Sequence, residues 1–163
     1  MNKGYEDVLS SISSSNPTPG GGSVSALILS HAHSLATMVA RLTSGRDKWS
    51  DGQGIAEEII SKSEESIETS LRLAKEDALA FDSVMNSYRL PKDTDELKET
   101  RKEAIFDSTI NAASVPLEIM HEASNLLNDI INLAKFGNLN ALTDLLGSAE
   151  LAYSSSKIAS LNV

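Results

Sequence analysis

The sequence predicts an all-α protein, an antiparallel bundle of about four long helices with a short helix ahead of them. Three observations carry this. No segment alternates apolar and polar residues as a half-buried strand does. Long stretches, above all 51–86 and 94–134, keep apolar residues three or four apart, the period of one helix face. The breaks between them are short and marked by Gly, Pro and Asn, so successive helices must fold back on one another.

Taken in order, residues from about Tyr5 to Ile12 form a short amphipathic piece. Asn16-Pro17-Thr18-Pro19-Gly20-Gly21-Gly22 breaks it, because neither proline nor a glycine run supports regular structure. Ser23 stands where a cap would start a helix through Val24, Leu27, Leu35 and Val39 to about Thr43. Gly45 to Gly54 reads as a loop. The next helix runs from near Asp51 to about Asn86 on Ile55, Ile59, Ile67, Leu71, Ala74, Ala78, Phe81 and Met85. After a turn at Leu90-Pro91, Thr94 caps a helix whose first turn holds Asp95 and Glu96, charges that suit a helix N-terminus. Pro116 should interrupt or kink that helix by removing one backbone donor. Gly137 should end it. A last helix runs from about Leu139 onward. One domain over 1–163 is expected, with no internal repeat or linker.

Composition narrows the function. The chain has 163 residues, no cysteine, 23 acidic and 14 basic residues and a net charge of −9. Thiolate catalysis, disulfides and Cys-based zinc sites are therefore excluded. A surface this acidic is a poor partner for nucleic acid, which needs clustered cations, and the low aromatic content offers little to stack on. No signal-peptide pattern and no membrane-spanning run of roughly 20 apolar residues is read, so a cytoplasmic protein without a membrane partner is expected. His31 and His33 lie two apart on different faces and cannot share a metal, and His121 stands alone. All three are read as structural or surface residues, and no metal site is expected.

The most unusual stretch is Pro17-Thr18-Pro19-Gly20-Gly21-Gly22-Ser23-Val24. It feeds a helix N-terminus, where free amides and the positive end of the helix dipole attract negative charge. No Gly-Lys-Ser/Thr follows, so it is not a Walker loop. No strand precedes it, so it is not a dinucleotide fingerprint. A ligand cradle and a plain connector both remain open from the residues alone.

At this motif the chain resembles the formiminotetrahydrofolate cyclodeaminase/methenyltetrahydrofolate cyclohydrolase family. The resemblance continues in order through Met38-Val39-Ala40-Arg41-Leu42-Thr43, Glu76-Asp77-Ala78-Leu79-Ala80-Phe81 and Leu90-Pro91-Lys92. Ala113-Ser114-Val115-Pro116-Leu117, then Gly137-Asn138-Leu139-Asn140 with Asp144, and the closing Leu161-Asn162-Val163 complete it. It departs at His31 and His33, where small residues are expected, and family members carry a further segment after the last of these motifs.

The resemblance implies a folate-dependent one-carbon enzyme. It would convert 5-formiminotetrahydrofolate to 5,10-methenyltetrahydrofolate with loss of ammonia or, alternatively, open the methenyl bridge with water to 10-formyltetrahydrofolate. A non-catalytic helical module that binds folate or oligomerises is the remaining alternative. Both reactions pass a tetrahedral centre beside a delocalised cation, so they need a proton relay and nearby negative charge. Neither implies a cofactor beyond the tetrahydrofolate substrate. Asp77, on an apolar face between Ala74, Ala78 and Phe81, is the first catalytic candidate, with a solvated helix acid as the plain alternative. Asp144 is the second, or else a first-turn acid. Substrate-binding candidates are Gly20, Gly21, Gly22, Ser23, Arg41, Lys48, Asn138 and Asn140. The family habit implies a homodimer.

Overall fold

Small side chains set the packing of this bundle. The buried face of its central helix is built largely from Ser23, Ser25, Ala26, Ser30, Ala32, Ala36 and Ala40, which let neighbouring backbones approach closely. The computed structural model describes residues 3–163 and places five α-helices in them: α1 Lys3–Ile12, α2 Gly21–Thr43, α3 Gln53–Tyr88, α4 Asp95–Phe136 and α5 Leu142–Ala159. No strand occurs among the described residues. The four long helices form a ring in which α2 packs on α3 and α5, and α4 closes it by packing on the same two.

Hydrogen bonds fix the direction of each neighbour. Ser148 and Ser155 on α5 donate to the carbonyls of Ala32 and Ser25 on α2, at 2.7 and 2.8 Å, so the two helices run antiparallel. Gln53 donates to the Thr43 carbonyl at one end of α3, and Ser23 reaches Asp77 further along it, so α2 and α3 are antiparallel as well. Arg72 on α3 meets Glu118 on α4 at 2.6 Å. The remaining buried hydroxyls turn back to their own helix. Ser25, Ser30, Thr37 and Thr43 bond carbonyls three or four residues earlier, which removes the cost of burying them.

Several boundaries differ from the sequence reading. Ser23 is not the cap of α2: the helix starts at Gly21 behind Gly20, with no side-chain cap. The stretch taken as one loop, Gly45 to Gly54, contains a 3-10 turn over Asp47–Gly52 and the start of α3. Pro116 does not divide α4, which continues through it with the proline buried. Burial of the proline ring outweighs the one missing donor. Thr94 does cap α4, accepting from the Leu97 amide at 3.2 Å, and Gly137 does end it. Contrary to the hydropathy reading, α2 is long and apolar enough to cross a membrane, and most of that stretch is buried inside the bundle.

Two features stand outside the ring. α1 has no buried residue and touches α2 through Tyr5, whose hydroxyl donates to His31 Nε2 at 3.4 Å. The second is a helical hairpin. α3 passes the start of α2 near Asp77 and runs on to Tyr88, about 16 Å further at roughly 1.5 Å per residue. α4 returns beside it, with Arg101 donating to the Tyr88 carbonyl at 3.1 and 3.2 Å. This arm exposes Leu79, Phe106 and Ile110 at 67%, 66% and 59%.

Candidate functional site

The first turn of α2 and the middle of α3 meet at one carboxylate. Ser23 is 1% exposed, and its hydroxyl donates to Asp77 Oδ2 at 2.8 Å. On the adjacent residue, a Cβ built on Gly22 would stand 2.0 Å from Asp77 Oδ1 and 2.6 Å from Cγ. Asp77 therefore lies directly against the backbone of α2, in space that any side chain at position 22 would fill. The helix N-terminus attracts negative charge, and the charge placed there belongs to the protein itself.

The three glycines are not equivalent. None of Gly20, Gly21 and Gly22 has positive φ, which among the described residues occurs at Gly45 alone. Within the chain Gly21 has no steric requirement, since a Cβ there would meet Ile158 Cγ2 at an ordinary 3.9 Å. Gly20 would meet the Pro17 carbonyl oxygen at 3.4 Å. Gly22 carries the steric requirement. The Thr18–Pro19 bond that leads into the turn is cis. Ile158, near the end of α5, lies beside Gly21, and its neighbour Lys157 is exposed.

The other residues singled out from the sequence lie elsewhere. Arg41 is near the C-terminus of α2, about 28 Å along its axis from Gly22. It is exposed on a groove of about 640 Å³ between α2 and α3, with Ser34, Thr37, Glu64 and Glu68. Lys48 sits in the 3-10 turn, with its ammonium 4.8 Å from the Trp49 ring centre. The Asn138 carboxamide is already committed. Its Nδ2 donates to the Leu42 carbonyl and its Oδ1 accepts from the Asn140 amide, both at 3.0 Å, while its backbone N–H donates to Thr43 Oγ1. It ties the α4–α5 turn to the end of α2. Asn140 is exposed next to it, and Asp144 is exposed in the first turn of α5. Because α5 runs antiparallel to α2, Asp144 lies at the Arg41 end, about 20 Å from Asp77 within one chain.

The predicted set thus divides in two. Gly20, Gly21, Gly22, Ser23 and Asp77 converge at one end of α2, and Arg41, Lys48, Asn138, Asn140 and Asp144 gather at the other. The Ser23–Asp77 pairing, 54 positions apart, had no signal in the sequence, where Ser23 read as a cap. Among the described residues no group of three His, Asp or Glu side chains is arranged to hold a metal ion.

Comparison with known proteins bears on this arrangement. The family described as Formiminotransferase-cyclodeaminase matches residues 4–163. A methenyltetrahydrofolate cyclohydrolase of Methylorubrum extorquens is 34% identical over 162 residues, covering 99% of this chain and 78% of that protein. The rat formimidoyltransferase-cyclodeaminase is 32% identical over 127 residues, which are 78% of this chain and 24% of the relative. The chain therefore spans about a quarter of that longer protein. In three dimensions it is similar to the crystal structure of a formiminotetrahydrofolate cyclodeaminase from Thermotoga maritima. The TM-score is 0.86 and the identity 29%, over 97% of this chain and 75% of that one.

Proposed function

The chain belongs to the formiminotransferase-cyclodeaminase family, and from that premise we propose that it closes 5-formiminotetrahydrofolate to 5,10-methenyltetrahydrofolate with release of ammonia. One observation carries the reading: the Asp77 carboxylate is held by Ser23 on the backbone of Gly22, inside the motif by which the family is recognised. In this reaction N10 of the folate attacks the protonated formimino carbon and a bond forms between them. The proton on N10 must leave, and the formimino nitrogen must gain one before its bond to carbon breaks. Asp77 accepts the first proton and returns it to the departing nitrogen, so the step consumes no net proton. The positive charge then rests on the N5–C–N10 bridge, next to the same carboxylate. Ser23 orients Asp77 by donating to one oxygen, leaving the other for the proton.

The cyclohydrolase reaction is the second reading, favoured by the relative of that name that matches 99% of the chain. Here water attacks the same bridging carbon, Asp77 takes one of its protons and passes it to N5 as the C–N5 bond breaks, and the second water proton leaves to solvent as the formyl carbonyl forms. We further propose that the working unit is a cytoplasmic homodimer, supported by the apolar residues exposed on the α3–α4 arm.

The deciding experiment measures absorbance of methenyltetrahydrofolate formed from 5-formiminotetrahydrofolate and, separately, consumed in water, with wild type and Asp77→Asn. The formation reading expects faster formation than consumption, and both readings expect Asp77→Asn to lose roughly 10²-fold or more in turnover while staying folded. Unchanged turnover in the variant would return Asp77 to a structural role. No turnover in either direction by wild type would overturn both reactions.

A further inference from the structure

Away from Asp77, a cavity of about 280 Å³ opens between α2, α3 and α4. Its wall is polar: His33 from α2, Lys62 and Ser66 from α3, and Glu122, Asn125, Asn128 and Asp129 from α4, with Leu126 beneath. His33 is ten residues along α2 from Ser23, about 15 Å, so this cavity is separate from the candidate active site.

The charges on the wall do not balance. Lys62 is mostly exposed and is bonded to Glu58, on its own helix and outside the cavity. Among the described residues Glu122 and Asp129 form no ion pair and no side-chain hydrogen bond. Burial raises the pKa of Asp129, with Lys62 opposing that shift and Glu58 adding to it. His33 is 8% exposed, and burial lowers its pKa to about 4, so the ring is neutral at physiological pH. Its Nε2 is the one buried side-chain N or O without a partner among the described residues. Such atoms are rare in folded proteins, because each costs the desolvation of a polar group.

These features specify a ligand class. Three carboxylates, Glu58, Glu122 and Asp129, around the single Lys62 in a chain of net charge −9 disfavour an anion and favour a cation. A chelated metal requires ligands converging at about 2.0–2.6 Å, and no such group is present among the described residues. An ammonium-type cation is less demanding. Its several N–H donors point in different directions and reach acceptors at about 2.8–3.0 Å, directly or through water. The wall supplies acceptors of this kind: two carboxylates, the Ser66 hydroxyl, two carboxamide oxygens and a neutral imidazole.

We propose that the cavity bounded by His33, Ser66, Glu122 and Asp129 is a binding site for a small protonated amine or ammonium. The site stands independently of the folate reading, since none of its residues belongs to the Gly22–Asp77 constellation. Lys62, on the same wall, is bonded to Glu58 and offsets part of the charge on Asp129.

The test is an NMR titration of the full chain with methylammonium chloride, ammonium chloride, potassium chloride and sodium chloride at matched ionic strength. The His33 imidazole and the backbone amides near Asp129 are followed. The expected result is a saturable shift at these residues with the two nitrogen cations, absent with sodium. Saturation by either nitrogen cation supports the proposal, and the tighter of the two marks whether ammonium or an organic amine is the better occupant. Asp129→Asn, which keeps the shape, should weaken methylammonium binding about 10-fold or more. Glu58→Gln should weaken it as well by removing one of the three carboxylates. The proposal is overturned if sodium or potassium produces the same shifts, or if wild type shows no saturation. It is equally overturned if Asp129→Asn binds unchanged, or if the shifts centre on Ser23 and Asp77.

Discussion

Gly22 and its neighbour Gly21 present opposite surroundings to an added methyl group. At Gly22 the methyl would overlap the Asp77 carboxylate, and at Gly21 it would rest against Ile158. Gly22→Ala should therefore displace the carboxylate and reduce turnover by about 10²-fold, the scale of a lost proton relay. Gly21→Ala should stay within about 2-fold of wild type, since it creates no clash and alanine is the better helix former. Parallel turnover and melting measurements on the two variants check this, and equal losses in both would contradict it. His33 makes a second residue-scale prediction, about acid stability. Its folded pKa of about 4 lies below the unfolded value, so between about pH 6.5 and 4 the unfolded chain binds a proton that the folded chain does not. The stability contributed by this group is complete above pH 6.5 and is lost as pH falls. By pH 5 the loss should be about 2 kcal/mol. Asp129, whose pKa is raised, acts in the opposite direction as pH falls. The comparison is therefore urea unfolding at pH 7 and pH 5 in wild type and His33→Gln, with the His33 component absent from the variant.

At the scale of elements, two chain reversals, α2 to α3 and α4 to α5, meet on Thr43. A Cβ on Gly52 would stand 2.5 Å from the Phe136 carbonyl oxygen and 3.1 Å from Thr43 Cγ2. On Gly137 it would stand 2.8 Å from Leu133 Cδ1 and 3.1 Å from Thr43 Oγ1. The start of α3 and the end of α4 thus come together because neither turn carries a side chain there. Gly52→Ala presses on backbone, which cannot swing aside, and should cost about 1–3 kcal/mol. Gly54→Ala, one turn-width away, meets nothing within 4 Å and should be neutral or stabilising by up to about 1 kcal/mol. Thermal melts of the two variants measure the contrast. Asn138 completes this corner with its carboxamide, which explains its place in the family pattern without assigning it to a ligand.

For the whole molecule, the α3–α4 arm matters most. Beyond Asp77 the side of α3 that α2 covers elsewhere has no helix over it, and Phe81, Met85 and Tyr88 on α3 are exposed together with Phe106 and Ile110 on α4. A second copy seated there would lie next to the start of α2, beside Asp77. Specific dimers bury roughly 800 Å² on each partner, and these apolar side chains would form the centre of such an interface. Sedimentation equilibrium at micromolar concentration should give a dimer. Phe106→Glu, at the most open part of the arm, should shift it to monomer and lower turnover with it. A monomeric wild type of full activity would overturn this assembly.

Helical periodicity, the Thr94 cap, the Gly137 stop and the ordered family motifs were all legible in the sequence, because each depends on residues within a few positions of one another. Those local rules determined that the protein is an all-α bundle and which family it belongs to. They did not determine which residues share a site. Asp77 could be singled out on its helix, but its partner Ser23 looked like a cap, and Arg41, Asn138 and Asp144 looked like companions because they share the family pattern. Antiparallel packing decided otherwise, sending Asp144 to the far end of α2 and placing Ser23 on Asp77. His33 gave no sign of its cavity, since burial against α3 and α4 is what lowers its pKa and leaves Nε2 unpartnered. Residues far apart in the chain meet only through the direction and register of the packed helices, and no local pattern encodes those distances.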